Sequence, residues 1–171
     1  DSSTMVNKGL EVMEAKWLFG VEYDQVQVVI QPQSVIHSMV QFEDGAIIAQ
    51  LGTPDMKLPI QLALTYPDRR YLPGKRLDFA SISFFAPDFE NFPGLALAYK
   101  VGKEGGNRPT IYNAANEFAV SRFLDHKLSY PGIIEAIEAS LDHVGFVQNP
   151  NVDNILETEA AVYEFLQSAL A

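Results

Sequence analysis

The stretch VIHSMVQFEDGAIIAQL, residues 35–51, carries the clearest β-strand pattern in the chain. Residues 35–42 and 46–51 are rich in β-branched and apolar side chains, and Glu43, Asp44 and Gly45 separate the two runs. An Asp-Gly pair between apolar runs is typical of a hairpin, because both turn residues tolerate a positive φ. The pattern therefore predicts two antiparallel strands joined by a tight turn.

Helical and extended patterns flank this hairpin. Residues 5–19 predict a helix that ends at Gly20 and begins with Ser2, Ser3 or Thr4 as its cap. Its apolar residues recur at helical spacing, and we expect Trp17 to lie in the core. The run VQVVI, residues 26–30, predicts a short strand, and residues 58–65 predict a short helix.

The second half of the chain is predicted to be helical after a long connection. Prolines recur through residues 66–93, where only residues 82–85 resemble a strand, and a connection of this length usually joins two units. Helices are then predicted over residues 95–101, ending at Gly102, and over residues 111–124, 133–144 and 159–170, the last with Thr158 as its cap. Their narrow apolar stripes favour an antiparallel bundle. We therefore predict an α+β fold with a mixed or antiparallel sheet in residues 1–66, a Pro-rich connection over residues 67–91, and a helical bundle over residues 92–171.

The composition allows a folded core and excludes several kinds of site. Of the 171 residues 47% are hydrophobic, which is enough to bury about 70% of the unfolded surface. The net charge of −10 argues against nucleic-acid or anionic-membrane partners, although it allows one local cationic pocket. The absence of cysteine excludes disulfides and thiolate metal sites. No apolar run is long enough to span a bilayer, and the first residues do not have the pattern of a signal peptide.

The most distinctive polar group lies at the start of the first predicted helix, where Asn7, Lys8 and Glu11 share one face because they are three and four residues apart. The start of a helix offers backbone N–H groups, and a lysine, an amide and the Ser2 hydroxyl complete a set of donors suited to a phosphate. Glu11, one turn further along, could hold a hard cation beside that phosphate. An ordinary capped helix with a Lys–Glu surface pair fits the same spacing, so spacing alone leaves both interpretations open.

Five stretches, in order, resemble the 1-deoxy-D-xylulose 5-phosphate reductoisomerase family. The first, DSSTMVNKGLEVMEAKWLFG, is similar to the family segment DSATxxNKGLExxEAxxLF. The others are QPQSVIHSMVQFEDG, AQLGTPDMKLPIQLALTYPDR, LDF and YNAANEFAV, so the resemblance runs to about residue 124. By this resemblance residues 1–66 are the C-terminal part of a catalytic domain, and residues 92–171 are the helical bundle that supports it.

The resemblance implies an enzyme that converts 1-deoxy-D-xylulose 5-phosphate to 2-C-methyl-D-erythritol 4-phosphate, in non-mevalonate isoprenoid synthesis. It implies NADPH as reductant and Mg²⁺ or Mn²⁺ as Lewis acid. By position Ser2, Asn7 and Lys8 match substrate and phosphate contacts, and Glu11 matches a substrate and metal ligand with a catalytic role. His37 matches a histidine near the site and is expected to be catalytic. The nicotinamide contacts are expected from Pro54 and Met56. Family members are homodimers of the bacterial cytosol or the plant plastid, and we expect the bacterial cytoplasm.

Two residues depart from the family pattern, and several family segments are absent. Gln31 stands where the family commonly has His, and Ser3 replaces Ala. The sequence contains neither the Gly-rich NADPH-binding segment, nor the Asp-x-Glu metal ligands, nor the flap over the substrate. We therefore expect a C-terminal portion that is inactive by itself.

Two other functions stay open at this point. A related enzyme with another sugar-phosphate-like substrate should keep the metal ligand but change Asn7 and Lys8, and both are intact. A non-catalytic binding module should expose an apolar patch on the bundle. Structural roles are expected for His126 and His143 near helix ends, and for Asn113 and Asn116, which should satisfy backbone groups.

Overall fold

A computed structural model describes residues 2–79 and 81–170 of the chain. Contacts divide the chain into two compact units, one made of Asp1–Val28 with Pro87–Ala171 and the other of Val29–Ala86. The first unit is therefore discontinuous in sequence, with the second inserted into it. This differs from the division at residues 66 and 92 predicted above, since the first helix packs with the C-terminal helices. The assignment of residues 1–66 to a catalytic domain remains a prediction.

The first unit is built from helices. Helix α1 spans Val6–Phe19 and is followed by a short 3-10 turn at Tyr23–Gln25. The others are α3 at Pro93–Glu104, α4 at Arg108–Leu124, α5 at Tyr130–His143 and α6 at Val152–Ala169. Helix α4 packs on α3, α5 and α6, and α1 packs on α3. Their facing sides supply the core, whose largest fully buried apolar side chains are Val6, Leu95, Val101, Ile111, Tyr112, Ile133, Ile137, Val162 and Leu166.

The second unit contains the predicted hairpin. Strands β1 (Ile36–Gln41) and β2 (Ile47–Leu51) pair antiparallel, and helix α2 follows at Lys57–Thr65. An isolated antiparallel bridge pairs Ile30 with Phe85. Among the described residues of this unit only Gly52 is buried, so the two-stranded sheet has little core of its own. Within the described residues no helix is long and apolar enough to cross a membrane.

The structure confirms the α+β class and corrects two predicted ends of helices. Gly102 lies inside α3, and the helix continues to Gly105, which adopts φ 69° and donates its N–H to Val101. Gly102 is buried against Tyr23, and a Cβ there would lie 2.6 Å from the tyrosine ring, so a glycine fits this helical position. Helix α6 begins at Val152, six residues before Thr158, and is capped by Asn151, whose side chain accepts from the Asn154 N–H.

Two further predictions were wrong. Residues 26–30 form no strand, because Ile30 alone among them forms a β-bridge, and its partner within residues 82–85 is Phe85. Trp17 is 79% exposed rather than in the core. The buried face of α1 runs through Val6, Gly9 and Val12 to Met13, and Trp17 lies beyond its contact with the other helices.

Candidate functional site

The outer face of α1 brings three of the predicted site residues together. The Nδ2 of Asn7 donates to Oε1 of Glu11 at 2.9 Å, and the Lys8 ammonium forms an ion pair with Oε2 of the same carboxylate. Both partners of the ion pair are a little under half exposed, at 45% for Lys8 and 44% for Glu11. The three side chains therefore share one helix face, as their spacing predicted: an amide, an ammonium and a carboxylate lie in contact on a face that solvent reaches.

A tight turn precedes this face. Ser2 is exposed, and its carbonyl accepts from the Met5 N–H at 3.2 Å. Met5 occupies the N-cap position in the left-handed region, at φ 60° and ψ 11°, where a residue with a Cβ is strained. Thr4 is buried, and its hydroxyl accepts from the Val6 N–H at 3.4 Å. The predicted cap was wrong: Met5 occupies the N-cap position and makes no side-chain cap bond, and the Thr4 hydroxyl binds the N–H of the first helical residue.

His37 lies at an irregularity in the hairpin. Ile36 pairs with Leu51 while Ser38 pairs with Gln50, so His37 is the extra residue of a β-bulge in β1. Its side chain is exposed, and its Nε2 lies 4.0 Å from the position that a Cβ on Gly52 would take. Bulges re-aim a side chain and recur beside active sites, so the backbone at His37 is compatible with a site residue.

Gln31 holds the segment that leads into this strand. Its Oε1 accepts from the backbone N–H of Val35 at 2.8 Å, and its Nε2 donates to Gln33 at 3.0 Å. Gln33 in turn donates to the hydroxyl of Ser83 at 3.0 Å. The residue that departs from the family pattern therefore fixes the turn before β1. No role was predicted for Gln31 from the sequence.

Pro54 and Met56 lie in the segment between β2 and α2. Both side chains are exposed, Met56 at 70%. Between them Asp55 turns the chain into the helix, because its Oδ1 accepts from the Lys57 N–H at 2.9 Å. Ser2, Asn7, Lys8 and Glu11 belong to the first unit, and His37, Pro54 and Met56 to the second. Their assignment to substrate and cofactor stays a prediction.

The donor set on α1 can supply part of a metal site. A carboxylate oxygen is a ligand that Mg²⁺ favours, and Glu11 offers one on an accessible face. Within residues 2–79 and 81–170, no group of three or more His, Cys, Asp or Glu side chains could hold a metal ion. Glu11 therefore fits as one ligand among several.

The remaining candidates in the helices have structural surroundings. The His143 ring stacks on Phe165 with centroids 4.1 Å apart, and His126 lies two residues after the end of α4 with a left-handed backbone at φ 58°. Asn116 is buried, as expected of a structural residue, but its Oδ1 has no hydrogen-bond partner in the described part of the chain and so does not satisfy a backbone group as predicted. That backbone-satisfying role belongs to Asn107, which sequence analysis missed. An Asn two residues before a proline at a helix start is the pattern that could have identified it.

Known proteins resemble this chain over nearly its whole length. A family profile described as "DXP reductoisomerase C-terminal domain" matches residues 51–165. The protein named 1-deoxy-D-xylulose 5-phosphate reductoisomerase in Lachnospira eligens is 58% identical over 171 residues, covering 98% of this chain and 45% of the relative. The protein of that name in Listeria monocytogenes serovar 1/2a is 51% identical over 174 residues, covering 99% of this chain and 46% of its own. The chain thus spans a little under half the length of these curated relatives.

Solved structures give the same result for the fold. The reductoisomerase of Zymomonas mobilis in complex with NADPH matches with a TM-score of 0.91 at 41% identity, over 99% of this chain and 46% of that one. A DOX-P reductoisomerase in complex with NADPH, fosmidomycin and magnesium matches with a TM-score of 0.92 at 39% identity, over 99% of this chain and 45% of that one.

Proposed function

This chain belongs to the 1-deoxy-D-xylulose 5-phosphate reductoisomerase family, and on that premise we propose that it supplies the phosphate-binding face and one metal ligand of such an enzyme. The enzyme converts 1-deoxy-D-xylulose 5-phosphate to 2-C-methyl-D-erythritol 4-phosphate by skeletal rearrangement and reduction. The observation that carries the proposal is the contact of Asn7, Lys8 and Glu11 on the accessible face of α1. The comparisons give no support to a different substrate or to a non-catalytic module.

The proposed roles follow from the donors and acceptors of these side chains. Lys8 has three N–H donors and uses one toward Glu11, so it can donate to a phosphate oxygen without releasing the carboxylate. The Asn7 amide and the exposed Ser2 hydroxyl add neutral donors on either side of the first turn. Glu11 lies one turn further along the helix and would hold the divalent cation through a carboxylate oxygen.

The proposed cofactors, and the proposed roles of the remaining residues, are inferred from membership of the family. When bound, Mg²⁺ or Mn²⁺ supplies Lewis acidity to the substrate oxygens, and NADPH supplies the hydride. We assign Glu11 to the metal, Pro54 and Met56 to the nicotinamide side, and His37 to the substrate side. Because no group of three or more His, Cys, Asp or Glu side chains in the described part of the chain could hold a metal ion, and the sequence has no Gly-rich dinucleotide segment, the 171-residue chain is expected to be inactive by itself. For the whole protein we propose a homodimer in the bacterial cytoplasm.

Replacement of Lys8 by alanine in a full-length enzyme that contains this chain tests the proposal. A lost charge-assisted bond to phosphate is worth about 1.5–3 kcal/mol, so the substrate KM should rise about 10- to 150-fold while the NADPH KM stays within about twofold.

Lys16→Ala is the matched control, because Lys16 lies on the same helix and pairs with Glu22 at 3.2 Å. Its loss should leave both KM values unchanged. An unchanged substrate KM and kcat in Lys8→Ala, or an equal effect of Lys16→Ala, contradicts the phosphate assignment.

A further inference from the structure

We propose that Gly9 is a positioning residue: its missing side chain sets how closely α1 approaches α3 and thereby places Asn7, Lys8 and Glu11. The inference rests on the proposed function, since it concerns the residues assigned there to substrate and metal. It adds a role for the helical bundle, which holds the binding face in position through close contacts with α1.

The two faces of α1 differ in exposure to solvent. Asn7, Lys8 and Glu11 lie on the accessible face, while Val6, Gly9 and Val12 are buried on the opposite one. Gly9 follows Lys8 directly, so any shift of the backbone at Gly9 moves the lysine as well. The position of the binding face therefore follows that of the buried face.

The contact at Gly9 leaves no room for a methyl group. A Cβ built on Gly9 would lie 2.3 Å from the Cβ of Ala98 and 3.0 Å from the hydroxyl of Tyr112. Cβ atoms in proteins essentially never approach within 3.0 Å, and ordinary contact begins near 3.4 Å. An alanine at position 9 must therefore move α1 from α3 by about 1 Å, the difference between 3.4 and 2.3 Å.

A second contact fixes the same turn. Tyr112 is fully buried, and its hydroxyl donates to the Gly94 carbonyl at 2.9 Å and lies 3.5 Å from the Val6 carbonyl. Gly94 itself meets the turn before α1, since a Cβ there would lie 2.8 Å from the Thr4 carbonyl oxygen. The start of α1 is thus held at a fixed depth by α3 and α4, beside the residues proposed to bind phosphate.

A displacement of this size is large for a binding site. Misplacement by about 1 Å can reduce a catalysed rate by about 100-fold when geometry is demanding. We therefore expect Gly9→Ala in the full-length enzyme to raise the substrate KM at least tenfold, while the NADPH KM stays within twofold. The measurements are steady-state kinetics and the Tm of each variant, at a temperature where circular dichroism shows it folded.

Gly102→Ala is the matched control. It adds a methyl to the same helix α3, 2.6 Å from the Tyr23 ring, but on the contact with the 3-10 turn rather than with α1. It should lower the Tm and leave the substrate KM within twofold. The exchange Gly9→Ala with Ala98→Gly moves the methyl across the contact and should bring the KM back to within about threefold of the parent. Should Gly9→Ala not fold, Ala98→Ser, which adds one atom from the α3 side, should raise the KM in its place.

Three outcomes overturn the inference. The first is a folded Gly9→Ala variant whose Tm is lower than the parent's while its substrate KM equals the parent's. If Gly9→Ala does not fold, the same result in Ala98→Ser counts in its place. Another is a KM that rises equally in Gly102→Ala, which would tie KM to stability alone. The third is an exchange variant that recovers the Tm without the KM. If Lys8→Ala also leaves the KM unchanged, the proposed function fails together with this inference. If Lys8→Ala raises it and the Gly9 and Ala98 variants do not, only the positioning role fails.

Discussion

Replacing Asn107 with alanine should be among the most destabilising changes in the helical unit. Asn107 is fully buried at the N-cap of α4, and its whole amide is used. The Nδ2 donates to the Gly145 carbonyl at 2.9 Å and to the Thr158 hydroxyl at 3.1 Å, and the Oδ1 accepts from the Val147 N–H at 3.0 Å. These bonds tie the start of α4 to the loop between α5 and α6 and to α6 itself.

The expected loss in the free energy of unfolding comes from the three hydrogen bonds and from their partner groups, which are left without a bond. Each net hydrogen bond contributes about 1 kcal/mol, and a buried partner left without a bond adds to that loss. We expect a loss of about 3 kcal/mol in the free energy of unfolding, which corresponds to a Tm lower by about 10 °C for a chain of this size.

Thermal and urea unfolding followed by far-UV circular dichroism measure this change. Asn149→Ala is the control, because Asn149 is exposed in the same loop and surface changes of this kind usually stay within about 0.5 kcal/mol. If Asn107→Ala lowers the Tm by no more than the control does, the bonds of Asn107 do not hold these helices together.

Two further predictions concern charged and phenolic groups. In the full-length enzyme Glu11→Gln should raise the metal concentration required for activity and lower kcat at least about tenfold. The Tm measured without metal should change little, since an exposed i,i+3 pair contributes only about 0.2–0.5 kcal/mol. If the variant keeps the parent's activity over a Mg²⁺ titration, Glu11 is a surface residue. Desolvation, with Glu159 and Glu117 nearby, raises the pKa of Tyr163 to about 12. Because this pKa is higher in the folded chain than in the unfolded one, the protonated phenol stabilises the fold fully below pH 10, and this contribution is lost as the pH rises through about 12. The Tm of Tyr163→Phe should therefore fall less than the parent's Tm between those pH values. Equal alkaline slopes would contradict that pKa.

Local patterns in the sequence predicted the elements whose ends are set by local chemistry. Gly20 ends α1 in a left-handed conformation at φ 65°, and the Asp-Gly turn joins β1 to β2. The errors arise where distant contacts decide. Gly102 lies inside α3 rather than at its end, and the ring of Tyr23, far away in sequence, occupies the space that a side chain at position 102 would need. Trp17 follows the apolar spacing of α1 but lies where no other helix covers it.

The candidate site was predictable to a similar extent. Spacing alone places Asn7, Lys8 and Glu11 on one helix face, and the structure adds their mutual contacts. A bulge at His37 depends on the register between two strands, which an alternating pattern does not specify. The role of Gly9 depends on a neighbour 89 positions away, Ala98, and no local pattern contains that distance.

The insertion of one unit into the other has a consequence for the order of synthesis. Helix α1 leaves the ribosome about 85 residues before α3 is complete, a delay of roughly 4–17 s at bacterial and eukaryotic elongation rates. During that interval the buried face of α1 has no partner. Closing the intervening loop, residues 29–86, costs about 3–4 kcal/mol in chain entropy. Once Ile30 and Phe85 have paired, the ends of the loop are already together, and α1 then meets α3 as a near neighbour.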